Sequence, residues 1–461
     1  MSVHEDTIAA IATPKGIGGI GIIRISGPDA ETIGRCLFRS RTGVDAFRSR
    51  YLYYGDAISP ETGLVLDEVL FSMMRAPHSY TGEDTVEINC HGGPAIMETI
   101  LAAAVSAGAR PADPGEFTKR AFLNNRIDLS QAEAVIELIT ARTDRGRTFA
   151  ISQLKGTLSQ KIRILRTSLI DILAHLETAI DFTDEDIEPI PFAVLATTID
   201  TTMTDIAGIL GTYTEGRIAR DGVSVVIAGK PNVGKSSLLN TLLGVKRAII
   251  TPIPGTTRDF IEEVFYIKGL PVQIIDTAGV RNADDMIEEE GIRLVWEKAS
   301  SADLILILVD GSTELTAEDF EVIRKSASHN CLVVVNKTDL PQKLTDTDLA
   351  HALPGAAPHR ISAKYGTGIA ELKDEIHMAV MAGRERNDQA EIVLTGLRHK
   401  TALEKAGRLL MEAQTSLREE RSPELAALDV REALDSLGEI IGITTHDEVL
   451  DRIFAAFCIG K

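Results

Sequence analysis

Gly229-Lys230-Pro231-Asn232-Val233-Gly234-Lys235-Ser236 decides the fold of this chain. The apolar run Ser224-Val225-Val226-Ile227-Ala228 leads directly into it and a helical pattern follows, so the octapeptide sits where a strand hands over to a helix. In that setting the glycines let backbone amides wrap an anion, and the helix N-terminus points at it. Lys235 then offers a cation to the outer phosphates and the Ser236 hydroxyl a ligand for Mg²⁺, while Val233, Gly234 and Ser237 complete the cradle.

Working outward, the runs Val272–Asp276, Leu304–Asp310 and Cys331–Val335 alternate with amphipathic segments between 222 and 383. Short, near-continuous apolar runs of this kind predict a mainly parallel sheet covered on both faces, whose ligands bind at the C-terminal strand ends. Two of the runs end in suitable chemistry. Asp276-Thr277-Ala278-Gly279 places a carboxylate within reach of a Mg²⁺ shell and a glycine where backbone can approach a γ-phosphate. Asn336-Lys337-Thr338-Asp339 places a carboxylate where guanine N1 and its exocyclic amine can donate, a donor pair adenine lacks. Ser362-Ala363-Lys364 would close over the base with a backbone N–H. Four pieces in this order read as a GTP-binding module. Val280 stands where Ras-type GTPases carry the glutamine that orients water, so another polar group must do that work. The loop Thr251-Pro252-Ile253-Pro254-Gly255-Thr256-Thr257-Arg258-Asp259 holds hydroxyls suited to the metal and the γ-phosphate.

The flanks are of a different texture. At roughly 150 residues per domain, 461 residues ask for about three domains. Residues 1–120 alternate β-rich runs (Thr7–Ala12, Gly21–Ile25, Glu68–Met73, Thr85–Cys90) with helical stretches such as Ala95–Ala107, which predicts an α+β domain. From 121 to 218, and again from 384 to 461, helical periodicity dominates: Ile162, Leu165, Leu169, Leu173, Leu176 and Ile180 form one stripe, Leu403, Ala406, Leu410, Ala413 and Leu417 another, followed by Leu434 and Leu437. The α/β module at 219–383 is therefore expected to be inserted into a discontinuous helical domain.

Composition sets outer bounds. Apolar residues at 44% and charged residues at 25% are globular values, and a net charge of −19 works against a delocalised basic surface for nucleic acid. Any nucleic-acid contact needs a local patch. Cys36, Cys90, Cys331 and Cys458 form no CxxC pair, and Cys90-His91 alone makes no metal site, so a reducing, cytoplasmic setting is expected. The acidic N-terminus lacks a signal-like basic region, and no uninterrupted apolar run reaches spanning length, so no membrane association is expected. Gly16-Ile17-Gly18-Gly19-Ile20-Gly21 fits GxGxxG but runs into Ile22-Ile23-Arg24-Ile25, a strand rather than a helix, which argues against a dinucleotide site. Cys458 has two readings from spacing alone, a small core residue or a reactive thiol.

Taken with Asn232, the Gly255-Thr256-Thr257-Arg258-Asp259 loop, Ser79-Tyr80-Thr81-Gly82-Glu83-Asp84, Cys90-His91-Gly92-Gly93, Pro114-Gly115-Glu116-Phe117 and Phe457-Cys458-Ile459-Gly460-Lys461, the chain resembles the MnmE (TrmE) family of tRNA modification GTPases over essentially its whole length. The G motifs alone specify only a GTPase superfamily, and the flanking motifs specify the family. The resemblance implies a homodimer whose G domains pair over K⁺, held by Asn232, Thr251, Ile253 (through its carbonyl) and Thr256, with Mg²⁺ on Ser236 and Thr257. A cation beside the β,γ-bridge would substitute for an arginine finger. It implies a water-orienting glutamate matching Glu288, with Glu289 and Glu290 adjoining it and leaving the choice open. It further implies 5-formyltetrahydrofolate or a related reduced folate bound at the dimer interface by Arg24, Glu87, Arg126 and Lys461. Position 126 is one where some relatives carry lysine. Cys458 on a flexible tail would be placed near that ligand or the nucleobase. The implied function is GTP hydrolysis supporting formation of the 5-carboxymethylaminomethyl group on wobble uridine 34 of certain tRNAs, with the flavoprotein MnmG (GidA) as partner in a heterotetramer. A regulatory ribosome-assembly GTPase is the alternative that the G motifs alone would allow.

Overall fold

The computed structural model describes residues 6–14, 16–41, 43, 46–181, 190–244, 262–275, 302–352, 357–381, 392–419 and 422–461. The chain divides into two compact units, one of Met1–Thr140, Phe149–Gly211 and Leu397–Lys461, the other of Ala141–Thr148 and Thr212–Gly396. The second is thus inserted in the sequence of the first.

The first unit opens with a sheet of seven strands: β1 (Ile8–Ile11), β2 (Gly18–Ser26), β3 (Phe38–Ser40), β4 (Leu52–Ile58), β5 (Val65–Met74), β6 (Thr85–Gly92) and β7 (Arg110–Pro111), in the order β3-β4-β5-β6-β2-β1-β7. All pairings are antiparallel except β1 with β7. The period of two sends Ile23, Ile25, Phe71, Met73, Val86 and Ile88 to one face, where Ile33 and Leu37 of helix Ala30–Leu37 and Met97 and Ile100 of helix Pro94–Ser106 complete a core. The opposite face carries Arg24, Glu87, Ser72 and Leu52 in one register row and Ile22, Asn89, Leu70 and Tyr54 in the next. Leu52, Tyr54 and Leu70 on that face are exposed. The GxGxxG segment enters β2, as its continuation into a strand predicts.

The long helices Thr157–Asp181, Phe192–Gly211, Leu397–Arg418 and Pro423–Ile441 pack on one another. Their stripes are as expected with one correction. Ile162, Leu165, Leu169 and Leu176 are buried, but Ile172 rather than Leu173 takes the core position between them, and Leu173 and Ile180 are half-buried. Two successive steps of four would carry the stripe about 80° around the helix, and a step of three brings it back. Among the described residues, one helical stretch, Phe192–Asp221, has the length and the mean hydropathy, 1.2, to cross a membrane. Within it Leu195, Ile199 and Ile206 are buried, and its first part packs on helix Leu397–Arg418.

The second unit is built on β8 (Val223–Ala228), β9 (Glu262–Ile267), β10 (Leu270–Ile275), β11 (Leu304–Asp310), β12 (Cys331–Asn336) and β13 (His359–Arg360), in the order β13-β12-β11-β8-β10-β9. Every pairing is parallel except the β9–β10 hairpin at one edge. Alternate residues of the central strands enter two different cores. Val225, Ile227, Leu304, Leu306 and Leu308 face one layer, and Val226, Ala228, Ile305, Ile307 and Val309 face the other. Burial on both faces is why these strands read as unbroken apolar runs. The architecture is an α+β sheet layer, a discontinuous helical bundle and an inserted α/β P-loop G domain.

Candidate functional site

At the C-terminal end of β8 the chain turns through residues 229–234 into helix Lys235–Leu243. The turn is tight because two residues adopt left-handed backbone, Asn232 at φ 64° and Gly234 at φ 103°. Asparagine tolerates that region, whereas a Cβ at Gly234 would collide with the Asn336 amide. Lys235 Nζ donates to the carbonyls of Gly229 (2.7 Å) and Lys230 (2.9 Å), so the ammonium lies folded against the loop that precedes it. Ser236 and Ser237 are exposed on the first helical turn.

Asn336, at the end of β12, joins three motifs. Its buried amide donates to Val233 O (2.8 Å) in the phosphate loop, and its oxygen accepts from Ala363 N (3.0 Å). The 362–364 turn is fixed from two further sides: Ser362 Oγ donates to Asp339 Oδ1 (2.7 Å) and Thr241 Oγ1 donates to Ala363 O (2.7 Å). Lys337, itself at φ 64°, donates to Asp310 Oδ2 (2.6 Å) at the end of β11. Burial pushes the Asp310 carboxyl up, but Lys337 and the Ser312 hydroxyl and amide outweigh it and hold it below the usual carboxylate range. Residues 232–237, 336–339 and 362–364 are therefore brought together beyond the ends of the parallel strands β8, β12 and β13. Thr251–Thr257, Asp276–Gly279 and Glu288 lie outside the described residues.

A second cluster forms on the sheet of the first unit. Arg24 and Glu87 are register partners on β2 and β6, with Arg24 Nε 2.8 Å from Glu87 Oε1. The Arg24 guanidinium lies over the rings of Tyr80 (5.3 Å) and Phe117 (5.6 Å) and donates to Gly460 O (3.3 Å). Lys461 Nζ lies 5.8 Å from the centre of the same Tyr80 ring, and its ammonium is half-buried. Burial and the neighbouring Arg24 push its pKa down, against the pull of Glu87. Gly460 makes this approach possible: it sits at φ 94°, and a Cβ there would strike Ile11 O. Arg126 donates to Ser79 O (3.3 Å), next in the chain to Tyr80. Two cations and one carboxylate beside two aromatic rings suit an anionic, aromatic ligand.

Cys458 is exposed, which corrects its reading as a core residue, while Phe454 and Phe457, just before it in sequence, fill the core. The tail is held by its backbone, with Cys458 O accepting from Gly115 N (3.4 Å) and Lys461 N (3.3 Å). Cys90 is buried, and burial foremost pushes its thiol up to about 11. Among the described residues, no group of three or more His, Cys, Asp or Glu side chains is arranged to hold a metal.

Ser79–Asp84 and Pro114–Phe117 mark the family in the sequence without showing what they do. In the structure Glu83 and Glu116, with Asp6, hold the buried Arg120 guanidinium, and Tyr80 and Phe117 supply the rings beneath Arg24. A buried arginine needs such partners, and the one available signal was an acid in each motif, Glu83 and Glu116.

The family model described as the MnmE helical domain matches residues 129–458, and that of the GTP-binding protein TrmE N-terminus matches residues 7–126. The tRNA modification GTPase MnmE of Syntrophus aciditrophicus (strain SB) is 54% identical over 99% of this chain and 100% of its own length. The protein of the same name from Natranaerobius thermophilus is 47% identical over the same shares. Among solved structures, the G domain of the T. maritima FeoB iron transporter is 28% identical and covers 34% of this chain and 98% of its own, with a TM-score of 0.27. With both family models matched along its length and relatives of this identity matched from end to end, this chain belongs to the MnmE (TrmE) family of tRNA modification GTPases.

Proposed function

We propose that the chain hydrolyses GTP and that this hydrolysis serves the modification of tRNA at wobble uridine 34, forming a 5-carboxymethylaminomethyl group together with the flavoprotein MnmG (GidA). The observation that carries the GTPase half is the Asn336 bridge, which ties the phosphate loop, the base-reading strand end and the 362–364 turn into one rigid frame. Asp339, fixed by Ser362, is the guanine reader in this reading, and Lys235 is the group that neutralises the outer phosphates. The exposed hydroxyl of Ser236 fits a Mg²⁺ ligand, with Thr257 as its partner, and the ion supplies charge neutralisation across the phosphates. Asn232, exposed in left-handed backbone at the rim of the loop, fits the proposed K⁺ site with Thr251, Ile253 and Thr256. Glu288 is assigned to orienting water.

The cluster of Arg24, Glu87, Tyr80 and Lys461 supports a reduced folate such as 5-formyltetrahydrofolate. Its cations suit the glutamyl carboxylates and Glu87 suits hydrogen bonds from the pterin, with Arg126 and the exposed Cys458 alongside. The exposed apolar patch of Leu52, Tyr54 and Leu70 continues the sheet face that carries this cluster, which favours a homodimer built on that face. The three-part division at 120, 218 and 384 and a cytoplasmic setting belong to the same proposal. The test is GTPase turnover in K⁺ against Na⁺ at equal ionic strength, with wobble-uridine analysis of tRNA from a deletion strain. Turnover indifferent to the cation refutes the K⁺ assignment. Intact wobble modification with accumulated ribosomal precursors favours the ribosome-assembly alternative.

A further inference from the structure

The phosphate loop has a third tether that neither the GTPase motifs nor the family resemblance assigns. Lys230, the second residue of the loop, reaches the start of helix Ala317–Ser326. There its Nζ donates to Asp319 Oδ2 at 2.6 Å and to Thr316 Oγ1 at 3.2 Å. Asp319 is buried, with a side chain 2% exposed, and that of Lys230 is 15% exposed. The same Asp319 oxygen accepts from the Thr316 hydroxyl (2.8 Å) and amide (2.9 Å), and the amide bond, with the Thr316 side chain accepting from the Asp319 amide, makes a capping box at the start of the helix. The helix is held in place by Ile323, packed in the core that contains Val226 and Ala228 of β8. Lys230 therefore connects the phosphate loop to a cap that is fixed independently of the nucleotide.

We propose that Lys230 is a positioning residue for GTP and GDP, an inference that rests on the nucleotide-binding reading above. Its charge is neutralised by Asp319, so it acts through the loop rather than on the phosphates. Among the described residues, Asn336 fixes Val233 at the far end of the loop, and Lys235 folds back onto the Gly229 and Lys230 carbonyls at its start. When Lys235 turns to a phosphate those two carbonyls lose their donor, and the Lys230–Asp319 pair remains to hold the first half of the loop in the shape that presents its amides. Loss of that pair enlarges the set of loop conformations, and affinity falls by the fraction still competent.

The test uses the full chain, with fluorescent GDP dissociation, steady-state GTPase kinetics and thermal melting on each variant. Lys230→Met should raise the GDP Kd about tenfold if a tenth of the loop population stays competent, mainly through faster dissociation, with KM rising more than kcat falls. Lys230→Arg, which keeps a cation over Asp319, should bind within about threefold of wild type. Lys230→Met leaves Asp319 buried and unpaired, which lowers the melting temperature on its own account. The double variant Lys230→Met/Asp319→Asn removes that charge and should regain the melting temperature while keeping the weak binding. Wild-type affinity in the double variant, or an arginine variant no better than methionine, overturns the proposal. Failure of the wild-type chain to bind fluorescent GDP refutes the nucleotide reading instead.

Discussion

Replacing Asn336 should uncouple nucleotide binding from an otherwise intact sheet. Asn336 is 3% exposed and makes two buried hydrogen bonds, donating to Val233 O and accepting from Ala363 N. Asn336→Ala strands both backbone groups, and each buried unsatisfied group costs about 1–3 kcal/mol. A total near 4 kcal/mol follows, of which roughly half falls on the loop arrangement that the nucleotide selects, so GDP affinity should drop about thirtyfold. Asn336→Asp sharpens the test because it is isosteric. It keeps an acceptor for Ala363 N but turns an oxygen toward the Val233 carbonyl, where the native side chain presents a donor, and should bind GDP no better than the alanine variant. The assays are equilibrium titration with fluorescent GDP and the nucleotide-induced rise in melting temperature, which shrinks in step with affinity. GDP affinity within threefold of wild type in both variants would refute the claim that Asn336 organises the site.

Glu133 carries the clearest acid dependence. Burial raises its pKa, but His399 and Arg398 overcome that and hold it at about 2, against an ordinary 4.5. A depressed carboxyl stabilises the fold above its unfolded pKa and loses that contribution as pH falls from about 4.5 to about 2, a swing of about 3 kcal/mol. Acid melting curves of Glu133→Gln should be flatter than wild type across that window. Native alkylation at pH 8 should modify the exposed Cys36 and Cys458 well before the buried Cys90, whose thiol is pushed to about 11, as read by peptide mass spectrometry. Gly460→Ala forces a Cβ against Ile11 O at positive φ and should lift Lys461 off Tyr80, weakening 5-formyltetrahydrofolate binding at least tenfold by calorimetry while GDP binding is unchanged.

What was legible in the sequence follows from which interactions are local. The phosphate loop, the strand ends and the helix stripes are written in spacings of a few residues, so Asn232–Ser236 and Asn336–Asp339 fall where their patterns place them. Leu173 was misplaced because consecutive leucine and isoleucine let either satisfy a period of 3.6, and only the partner helices choose Ile172. The exposure of Cys458 was not legible, because it depends on Phe454 and Phe457, just before it, taking the core positions. The roles of Tyr80, Phe117 and Lys230 were invisible for a stronger reason: each acts on a group far away in the chain. Tyr80 meets Lys461 across 381 residues (461 − 80), and Lys230 meets Asp319 across 89. Contacts of that span are set by topology, and both have the same form, a cation from a functional segment seated on a group that the core already holds. Residues that touch the ligand are thus the ones a motif reveals, whereas the residues that hold them still must be sought among buried partners of the motif's remaining charges.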